Sequence, residues 1–341
     1  MRSLVIGDMH FGIKSNNSIW LDYQIRFFKN QIIPAIKEKN VDKIIFLGDL
    51  FDIRYSMNQQ IGIEVRKLII ALLDTFKDKQ FIFLAGNHDY YSPLEDLQEY
   101  NSYSLLFGND FVKCHPNVKF VVTEPYLTDE CLFLPWYFTE NPEHFDSLLY
   151  NYKFGQEVKS IYCHTDLAIW PGPRITALKG CPVYSGHIHN IMIDEENKLY
   201  NLGSACAFTF MDVNEAKFIY IVENHKIVDK IENITTPRFK RFYNEDIFTI
   251  TEYDVKDSFI QLCISNNNIN KANYIDQVKL LKTTYTDSNI KVHPIEDNMT
   301  TTTTFAAEGF NTNISQFIED NIPEYLTVKY EIIKDKLKEK N

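Results

Sequence analysis

The chain has 341 residues, of which 45% are hydrophobic, and its 46 acidic and 35 basic side chains give a net charge of −11. This length allows two domains or one large domain with an appendage, and the acidic balance is not typical of a protein that binds nucleic acid through a basic face. Six scattered cysteines without a CxxC pair exclude a disulfide-rich scaffold and favour a reducing compartment. No apolar run approaches the roughly 18 residues of a membrane span, and the N-terminal run is too short for a signal peptide. We therefore expect a soluble, cytoplasmic protein.

The first 90 residues alternate predicted strands and helices. Three apolar runs predict strands, at residues 3–7, 43–47 and 81–85. Segments with helical spacing lie between them, at residues 21–39 and 60–77, and Pro34 predicts a kink or a break in the first. Helical crossovers imply parallel strands, and in such sheets ligands bind beyond the carboxyl ends of the strands.

Shorter elements follow Pro93. One helix is predicted to run to about residue 106, and another spans about residues 142–152. Further strands are expected near residues 118–122, 131–134, 160–163, 183–185, 199–202 and 218–222. We assign residues 1–233 to one domain that contains all of these elements.

The remainder of the chain has a different pattern. Strand-like runs at residues 248–250 and 259–264 and a helix at 274–282, without clusters of metal-ligating residues, predict a small α+β accessory domain over residues 234–297. Residues 298–313 include five consecutive threonines and are predicted to be a flexible linker. Residues 314–341 are predicted to form a helical tail with one apolar face.

Five short stretches place acidic, amide and imidazole side chains at the ends of predicted strands. They are Asp8-Met9-His10, Gly48-Asp49, Gly86-Asn87-His88-Asp89, Cys163-His164 and Gly186-His187-Ile188-His189. No single stretch is decisive, but the ordered set supplies the ligands of a two-metal phosphoesterase centre, in which the cations lie about 3.5–4 Å apart.

Asp49 is the candidate bridging ligand because a carboxylate has two oxygens, one for each metal. Asp8 and His10 are two residues apart and are expected to hold one metal, whereas the amide oxygen of Asn87 is expected to bind the other. Three histidines complete the set, namely His164, His187 and His189. Mixed carboxylate and imidazole ligation favours Mn²⁺, Fe²⁺ or Zn²⁺ over Mg²⁺. His88 is not needed as a ligand and is a candidate proton donor.

These motifs resemble those of the calcineurin-like metallophosphoesterase superfamily over about residues 1–225. Within it, the chain most resembles the SbcD-type nuclease subunit of double-strand-break repair complexes, especially its tailed-phage recombination endonuclease members. Residues 48–54, the segment Leu134-Pro135-Trp136 followed by Glu140-Asn141, and the accessory domain with its tail suggest this narrower similarity. The resemblance implies an α/β fold, a β-sandwich flanked by helices, with a small capping domain and a helical tail.

The resemblance also implies roles for the site residues. The first metal would be held by Asp8, His10, Asp49 and His189, and the second by Asp49, Asn87, His164 and His187. His88 would be the catalytic histidine. The implied activity is Mn²⁺-dependent cleavage of DNA, as a double-strand exonuclease and single-strand endonuclease.

The implied partner is an SMC-like coiled-coil ATPase of the SbcC type, bound by a homodimer of the nuclease in a heterotetramer. Such a partner could supply the DNA-binding surface that this acidic chain lacks. The tail, residues 314–341, corresponds to the helices that dock the ATPase, although it could instead pack on its own domain. A phage-encoded protein would work in the cytoplasm of the host cell.

Asp52 departs from the pattern of many cellular SbcD-like nucleases, which carry histidine there. Asp49 and Asp52 keep the spacing of the phosphatase motif GDxxDRG, but Ile53 precedes Arg54 and breaks it. We hypothesise that the Asp52 carboxylate hydrogen-bonds His88 and acts with it in catalysis, with Asp89 as the competing partner. The alternative functions are a phosphatase or small-molecule phosphodiesterase of the same superfamily, and a non-catalytic scaffold.

Overall fold

The computed structural model describes residues 1–296, except positions 53, 55, 93–96, 109, 171, 214 and 286–288. Two large mixed sheets face each other, with helices on their outer surfaces. This architecture confirms the predicted α/β metallophosphoesterase fold class. The predicted linker and tail, residues 298–341, lie outside the described residues.

The first sheet has the strand order β12-β11-β1-β2-β3-β4. Its strands are β1 (Arg2–Ile6), β2 (Lys43–Phe46), β3 (Gln80–Leu84), β4 (Val118–Val121), β11 (Phe218–Glu223) and β12 (Lys226–Glu232). The four strands from β1 to β4 are parallel, and β11 runs antiparallel to β1.

The second sheet has the order β5-β6-β7-β8-β10-β9. Its strands are β5 (Tyr126–Thr128), β6 (Cys131–Leu134), β7 (Ser160–His164), β8 (Val183–Gly186), β9 (Met192–Asp194) and β10 (Leu199–Asn201). The strands β6, β7, β8 and β10 are parallel. Their carboxyl ends therefore lie at one edge of the sheet.

Twelve helical segments are described, and the first of them is a left-handed turn, with φ of +54° at Lys14 and +59° at Ser15. They are α1 (Ile13–Asn16), α2 (Ser18–Phe27), α3 (Ile33–Glu38), α4 (Gln59–Thr75), α5 (Ser102–Phe107), α6 (Phe111–Cys114), α7 (Trp136–Glu140), α8 (Pro142–Asn151), α9 (Gly172–Ala177), α10 (Glu252–Val255), α11 (Asn266–Ile269) and α12 (Ala272–Thr284). None of the helices in the described ranges is both long and apolar enough to cross a bilayer.

The central strands are buried on both faces, as their continuous apolar runs indicate, whereas the edge strands β9 and β12 are partly exposed. In β1, Leu4 and Ile6 pack with the helical layer, whereas Val5 joins the core between the two sheets. Helix α4 covers the first sheet with apolar residues at helical spacing, and its N-terminus is capped by the Asn58 side chain, which accepts from Gln60 N at 2.8 Å.

The predicted break near Pro34 is a π-helical turn, Phe28–Ile32, between α2 and α3. Proline lacks the N–H that an α-helix needs and its ring crowds the preceding turn. The wider π turn immediately before Pro34 accommodates that change in hydrogen bonding without interrupting the helical path.

A third, wholly parallel sheet, β13-β14-β15, follows the two large ones. Its strands are β13 (Arg238–Tyr243), β14 (Ser258–Ser265) and β15 (Asn289–Ile295). The strand expected at residues 248–250 was wrong, because a 3₁₀ helix, Asn244–Thr249, occupies most of that segment. Phe239 and Phe259 stack on Trp20 of α2, with ring centroids 6.1 and 5.3 Å away, and so connect this sheet to the helical layer.

Candidate metal centre

Five loops meet at the carboxyl edges of the two large sheets. Asp8, Asp49 and Asn87 follow the neighbouring parallel strands β1, β2 and β3, while His164 ends β7 and His187 follows β8. All seven predicted ligands lie in this one region, which is the place where parallel sheets bind ligands.

The first group of ligand atoms comes from Asp8, His10, Asp49 and His189. The Nε2 atoms of His10 and His189 face each other at 3.0 Å. Asp49 Oδ2 lies 3.6 Å from His10 Nε2, and Asp8 Oδ2 lies 3.9 Å from His189 Nε2. These four atoms therefore converge on a common centre.

The second group comes from Asp49, Asn87, His164 and His187. Asn87 Oδ1 lies 3.1 Å from His164 Nε2 and 3.0 Å from His187 Nδ1. Asp49 Oδ1 lies 3.4 Å from His164 Nε2. Asp49 thus contributes to both groups, with Oδ2 near His10 and Oδ1 near His164, which is the arrangement that a bridging carboxylate needs.

The donor set fits a pair of divalent cations. Atoms bound to one metal at about 2.1 Å are roughly 3.0–3.4 Å apart in octahedral or tetrahedral geometry, and the closest contacts within both groups have these separations. Asn87 Oδ1 faces lone-pair atoms of His164, His187 and Asp49. A cation makes such a meeting of acceptors favourable. Without a cation, the reversed amide donates to Asp49 Oδ2 and His187 Nδ1, at 3.1 and 3.0 Å, and accepts from Arg54 Nη2 at 2.6 Å.

Burial and neighbouring charges shift the pKa values of the site. Burial alone would raise the pKa of Asp49, but His164 and His10 lower it below its ordinary value. Burial likewise opposes protonation of His164, yet Asp49 raises its pKa to about 9. Burial raises the pKa of Asp8 to about 6 despite the opposing effect of His164. Without cations, these shifts favour a protonated His164 beside an ionised Asp49 at pH 7.

His187 and His189 have the opposite shifts. Burial, followed by the neighbouring His164, lowers the pKa of His187 to about 4. Burial, followed by His10, lowers the pKa of His189 to about 3. Both imidazoles are therefore neutral at pH 7, which is the form that binds a metal.

Two glycines let the loops approach this closely. Gly48 has φ +107°, which favours glycine, and a Cβ there would overlap the ring of His164. A Cβ on Gly86 would overlap Asp49 Oδ1. The glycines that precede Asp49 and Asn87 in the sequence motifs are therefore required by packing against the ligands.

His88 lies beside both groups and is held by main-chain contacts. Its Nδ1 lies 2.6 Å from the main-chain oxygen of Asp52, which can only accept, so Nδ1 is the donor. Its own N–H donates to Asp49 Oδ1 at 2.8 Å, and its ring contacts that of His10 edge-on at 4.9 Å. This leaves Nε2 as the ring nitrogen available to a ligand.

The hypothesis that the Asp52 carboxylate hydrogen-bonds His88 was wrong. Asp52 Oδ1 lies 3.1 Å from His10 Nδ1, and only the main-chain oxygen of Asp52 bonds His88. The reason is the parallel bridge between Phe11 and Phe51, with Asp52 N donating to Phe11 O at 3.0 Å, which directs the Asp52 side chain towards His10. Burial opposes protonation of His10, but Asp52 raises its pKa above the ordinary value.

Asp89, the competing partner for His88, has a structural role instead. Its buried carboxylate accepts from the main-chain N–H groups of Gly86, Phe51 and Leu50, at 2.9, 3.2 and 3.4 Å. These bonds join the loops after β2 and β3. Burial and the nearby Asp49 raise the pKa of Asp89 to about 7, although the N–H donors act in the opposite sense.

Two further residues at the site were not predicted. The buried Gln24 of α2 donates to the main-chain oxygens of Met9 and His10 and so supports the first ligand loop. Nothing in its helical context signals this role. Arg54 lies against Asn87, and its place in the stretch that follows Asp49 was the signal that could have identified it.

The loop that carries His189 rests on a buried cation. Lys217 Nζ donates to His189 O at 2.8 Å and lies 2.6 Å from Asp212 Oδ1 and 2.9 Å from Glu215 Oε2. Lys217 and Asp212 are almost fully buried. The pair therefore couples a ligand loop to the start of β11.

Comparison with known proteins shows a family and similar solved structures. Among solved structures, the chain is similar to the nuclease MPE of Pseudomonas putida, with 13% identity and a TM-score of 0.32 over 64% of this chain and 83% of that chain. It is also similar to Yfce, a phosphoesterase from E. coli, with 12% identity and a TM-score of 0.34 over 68% of this chain and 98% of that chain. No curated protein matches.

The sequence pattern of the calcineurin-like phosphoesterases matches residues 1–220. This span is well over half of the chain and contains all seven predicted ligands and His88. The chain therefore belongs to the calcineurin-like phosphoesterase family of metal-dependent hydrolases.

Proposed function

We propose that the protein is a Mn²⁺-dependent DNA nuclease that hydrolyses phosphodiesters at the two-metal centre. The observation that carries this proposal is the pair of ligand groups that share Asp49, with His88 beside them. By the family resemblance, the activities are double-strand exonuclease and single-strand endonuclease. The identity of the metal as Mn²⁺ rests on the mixed carboxylate and imidazole ligands.

Within this proposal, Asp8, His10, Asp49 and His189 hold one ion, and Asp49, Asn87, His164 and His187 hold the other. Bound cations would polarise the phosphoryl group and activate the attacking water. The chain positions its ligands through outer contacts, such as that of Asp52 with His10 and the bond from His187 N to Asp8 Oδ2 at 3.0 Å.

His88 is proposed to transfer the proton. With Nδ1 bonded to the main-chain oxygen of Asp52, the protonated ring presents its second N–H at Nε2. As water adds to phosphorus and the P–O bond to the departing strand breaks, Nε2–H gives its proton to the departing oxygen. The water loses one proton to solvent, and solvent returns a proton to Nε2. Asp52 has no direct part in this transfer and acts instead as a positioning residue for His10.

A cavity beside the centre favours a nucleic acid over a small phosphomonoester. This cavity of about 370 Å³ is lined by Arg54, Tyr91 and Tyr100 among others, and Arg54 also lies against Asn87. The side chains of Tyr91 and Tyr100 are about half exposed. A guanidinium contacts phosphates and aromatic rings stack on bases, so these groups suit a strand that continues beyond the cleaved bond.

The proposed partner is an SMC-like ATPase of the SbcC type, bound to a homodimer of this chain. The net charge of −11 supports a partner that supplies basic surface for DNA. We further propose that residues 314–341 dock this partner, and that the complex acts in recombination and repair in the cytoplasm, that of the host cell if the protein is phage-encoded.

The proposal is tested with labelled duplex and single-stranded DNA, in Mn²⁺ or EDTA, with and without the ATPase. We expect cleavage that requires Mn²⁺ and is lost in His88→Asn. Hydrolysis of p-nitrophenyl phosphate without any DNA cleavage would support a phosphatase or small-molecule phosphodiesterase instead. Metal binding without hydrolysis of either substrate would support a non-catalytic scaffold.

A further inference from the structure

A second cavity, of about 750 Å³, has most of its lining at the edge of the sandwich opposite to the metal centre, and it extends along β9 to Ile191. It is lined by residues that precede the parallel strands β7, β8 and β10 and by the turn between β11 and β12. Since β11 is antiparallel to β1, with Glu223 opposite Arg2, that turn also lies at the amino edge of the first sheet. The lysines of this cavity therefore lie at the edge opposite to the predicted metal ligands, none of which lines the cavity.

Positive charge is concentrated in this cavity. Five lysines line it, namely Lys159, Lys179, Lys198, Lys226 and Lys230. Lys159 Nζ lies 3.9 Å from a Glu130 oxygen. Within the part of the chain that the structure describes, the other four have no carboxylate partner within 4.0 Å, and Lys198 donates only to Gly180 O at 3.0 Å. Lys230 Nζ lies over the Phe218 ring, 4.3 Å from its centroid, and Glu195 is the one carboxylate in the lining. In a chain with a net charge of −11, this local excess of positive charge favours an anionic ligand.

The wall between the lysines is aromatic and aliphatic. Tyr200 is partly exposed, stacks on the buried Tyr184 with ring centroids 5.2 Å apart, and donates its hydroxyl to Glu195 at 2.8 Å. Ile191 and Ile227 also line the cavity. An inorganic phosphate would contact the lysines but leave this wall without a partner, and the volume lies in the range of about 300–1,000 Å³ that suits larger ligands.

We propose that this cavity binds a nucleoside phosphate, with the lysines contacting its phosphate groups and the base lying against the Tyr200 wall. Ammonium groups bind phosphates as point charges, and a ring wall accepts any base by stacking. The same chemistry is presented by a free nucleotide and by the 5′-phosphorylated end of a strand. The site does not depend on the proposed nuclease activity, because it shares no residue with the metal centre.

The test is calorimetric titration of the full chain with ADP in EDTA, so that metal-dependent binding does not contribute. We expect saturable binding of ADP and much weaker binding of adenosine or inorganic phosphate alone. Lys179→Glu combined with Lys226→Glu should weaken ADP binding by at least about tenfold, because carboxylates on two walls of the cavity would replace the ammonium groups that contact the phosphates. Asp49→Asn should bind ADP as the wild type does.

The matched control is Lys29→Glu combined with Lys37→Glu, which makes the same change in net charge on an exposed helical surface away from the cavity. This control should retain ADP binding. No ADP binding by the wild type, or equal losses in both double variants, would overturn the proposal. Competition between ADP and oligothymidylate, with and without a 5′-phosphate, distinguishes a free nucleotide from a strand end as the natural ligand. Displacement of ADP only by the phosphorylated strand supports a strand end. Displacement by neither strand supports a free nucleotide.

If the wild-type protein binds ADP but does not cleave DNA, only the proposed nuclease function is refuted. Conversely, a nuclease that binds no ADP would refute only the nucleotide site. The folded state of each variant is checked by its cooperative unfolding in urea, and the substituted lysines are exposed, so we expect no loss of fold.

Discussion

The carboxylate of Asp52 lies 3.1 Å from Nδ1 of His10, whose Nε2 points into the first ligand group. A carboxylate on the far nitrogen of a metal-binding imidazole fixes the ring orientation and increases its basicity. The Asp52 carboxylate therefore contacts the predicted ligand His10, and it does not pair with His88.

Asp52→Asn is expected to weaken metal binding by about 10–100-fold, because the outer partner of His10 loses its charge. The measurement is titration of the metal-free protein with Mn²⁺. Asp78→Asn, at an exposed carboxylate, is the control and should bind as the wild type does. Unchanged affinity in Asp52→Asn would show that the contact with His10 has no role in metal binding.

Asp49→Asn and His88→Asn should separate metal binding from proton transfer. Asp49 has one oxygen towards each ligand group, so its substitution should remove both ions. His88→Asn should keep both ions and lower kcat by about 10²–10⁴-fold. Metal content by elemental analysis, with turnover on the same samples, is the check. Two ions retained in Asp49→Asn would refute the bridging role.

Asp89→Ala is expected to destabilise the fold itself. The change leaves the N–H groups of Gly86, Leu50 and Phe51 without their acceptor in a buried region. Loss of the acceptor should cost about 1–3 kcal/mol. Urea unfolding in EDTA measures the loss without a contribution from bound metal. Stability equal to that of the wild type would mean that water replaces the carboxylate.

Lys217→Met should lower the free energy of unfolding by about 3–5 kcal/mol, because it leaves the buried Asp212 carboxylate without its ammonium partner. The control is Lys39→Met, which removes the partly exposed pair with Asp229 and should cost less than about 1 kcal/mol. Similar losses in both variants would show that burial does not strengthen the Lys217 pair.

The same pair predicts a dependence of stability on pH. Burial alone would raise the pKa of Asp212, but Lys217 lowers it below the ordinary value. Because the folded pKa is the lower one, this contribution to stability is complete above about pH 4. It is lost as the pH falls through the folded pKa.

Asp212→Asn should therefore flatten the acid side of the stability curve of the metal-free protein. The measurement is the free energy of unfolding at a series of pH values from neutral to strongly acidic. A variant that loses as much stability below about pH 4 as the wild type would assign the acid sensitivity to other carboxylates.

The sequence by itself determined nine of the twelve strands of the two large sheets and the residues that follow them, but not the edge strands β5, β9 and β12. A continuous apolar run is a local feature, so the strands that precede Asp8, Asp49, Asn87 and His164 can be predicted from the sequence alone. Parallel connection then places the motifs at one edge, and the donor chemistry of the motifs indicates cations. The strands of the accessory sheet were harder to predict from the sequence. The run Arg238–Tyr243 forms a strand although its basic and aromatic residues do not alternate clearly with others, and residues 248–250 do not form a strand.

Only the tertiary structure decided which side chains meet across the loops. The Asp52 side chain points towards His10 because the Phe11–Phe51 bridge sets the direction of the main chain at that position. The Asp89 carboxylate accepts hydrogen bonds from three main-chain N–H groups of neighbouring loops and therefore does not contact His88. The lysine cavity likewise joins residues from both sheets that are far apart in the sequence. Such partners depend on loop paths and burial, which arise from packing between distant segments and leave no periodic signal in the sequence.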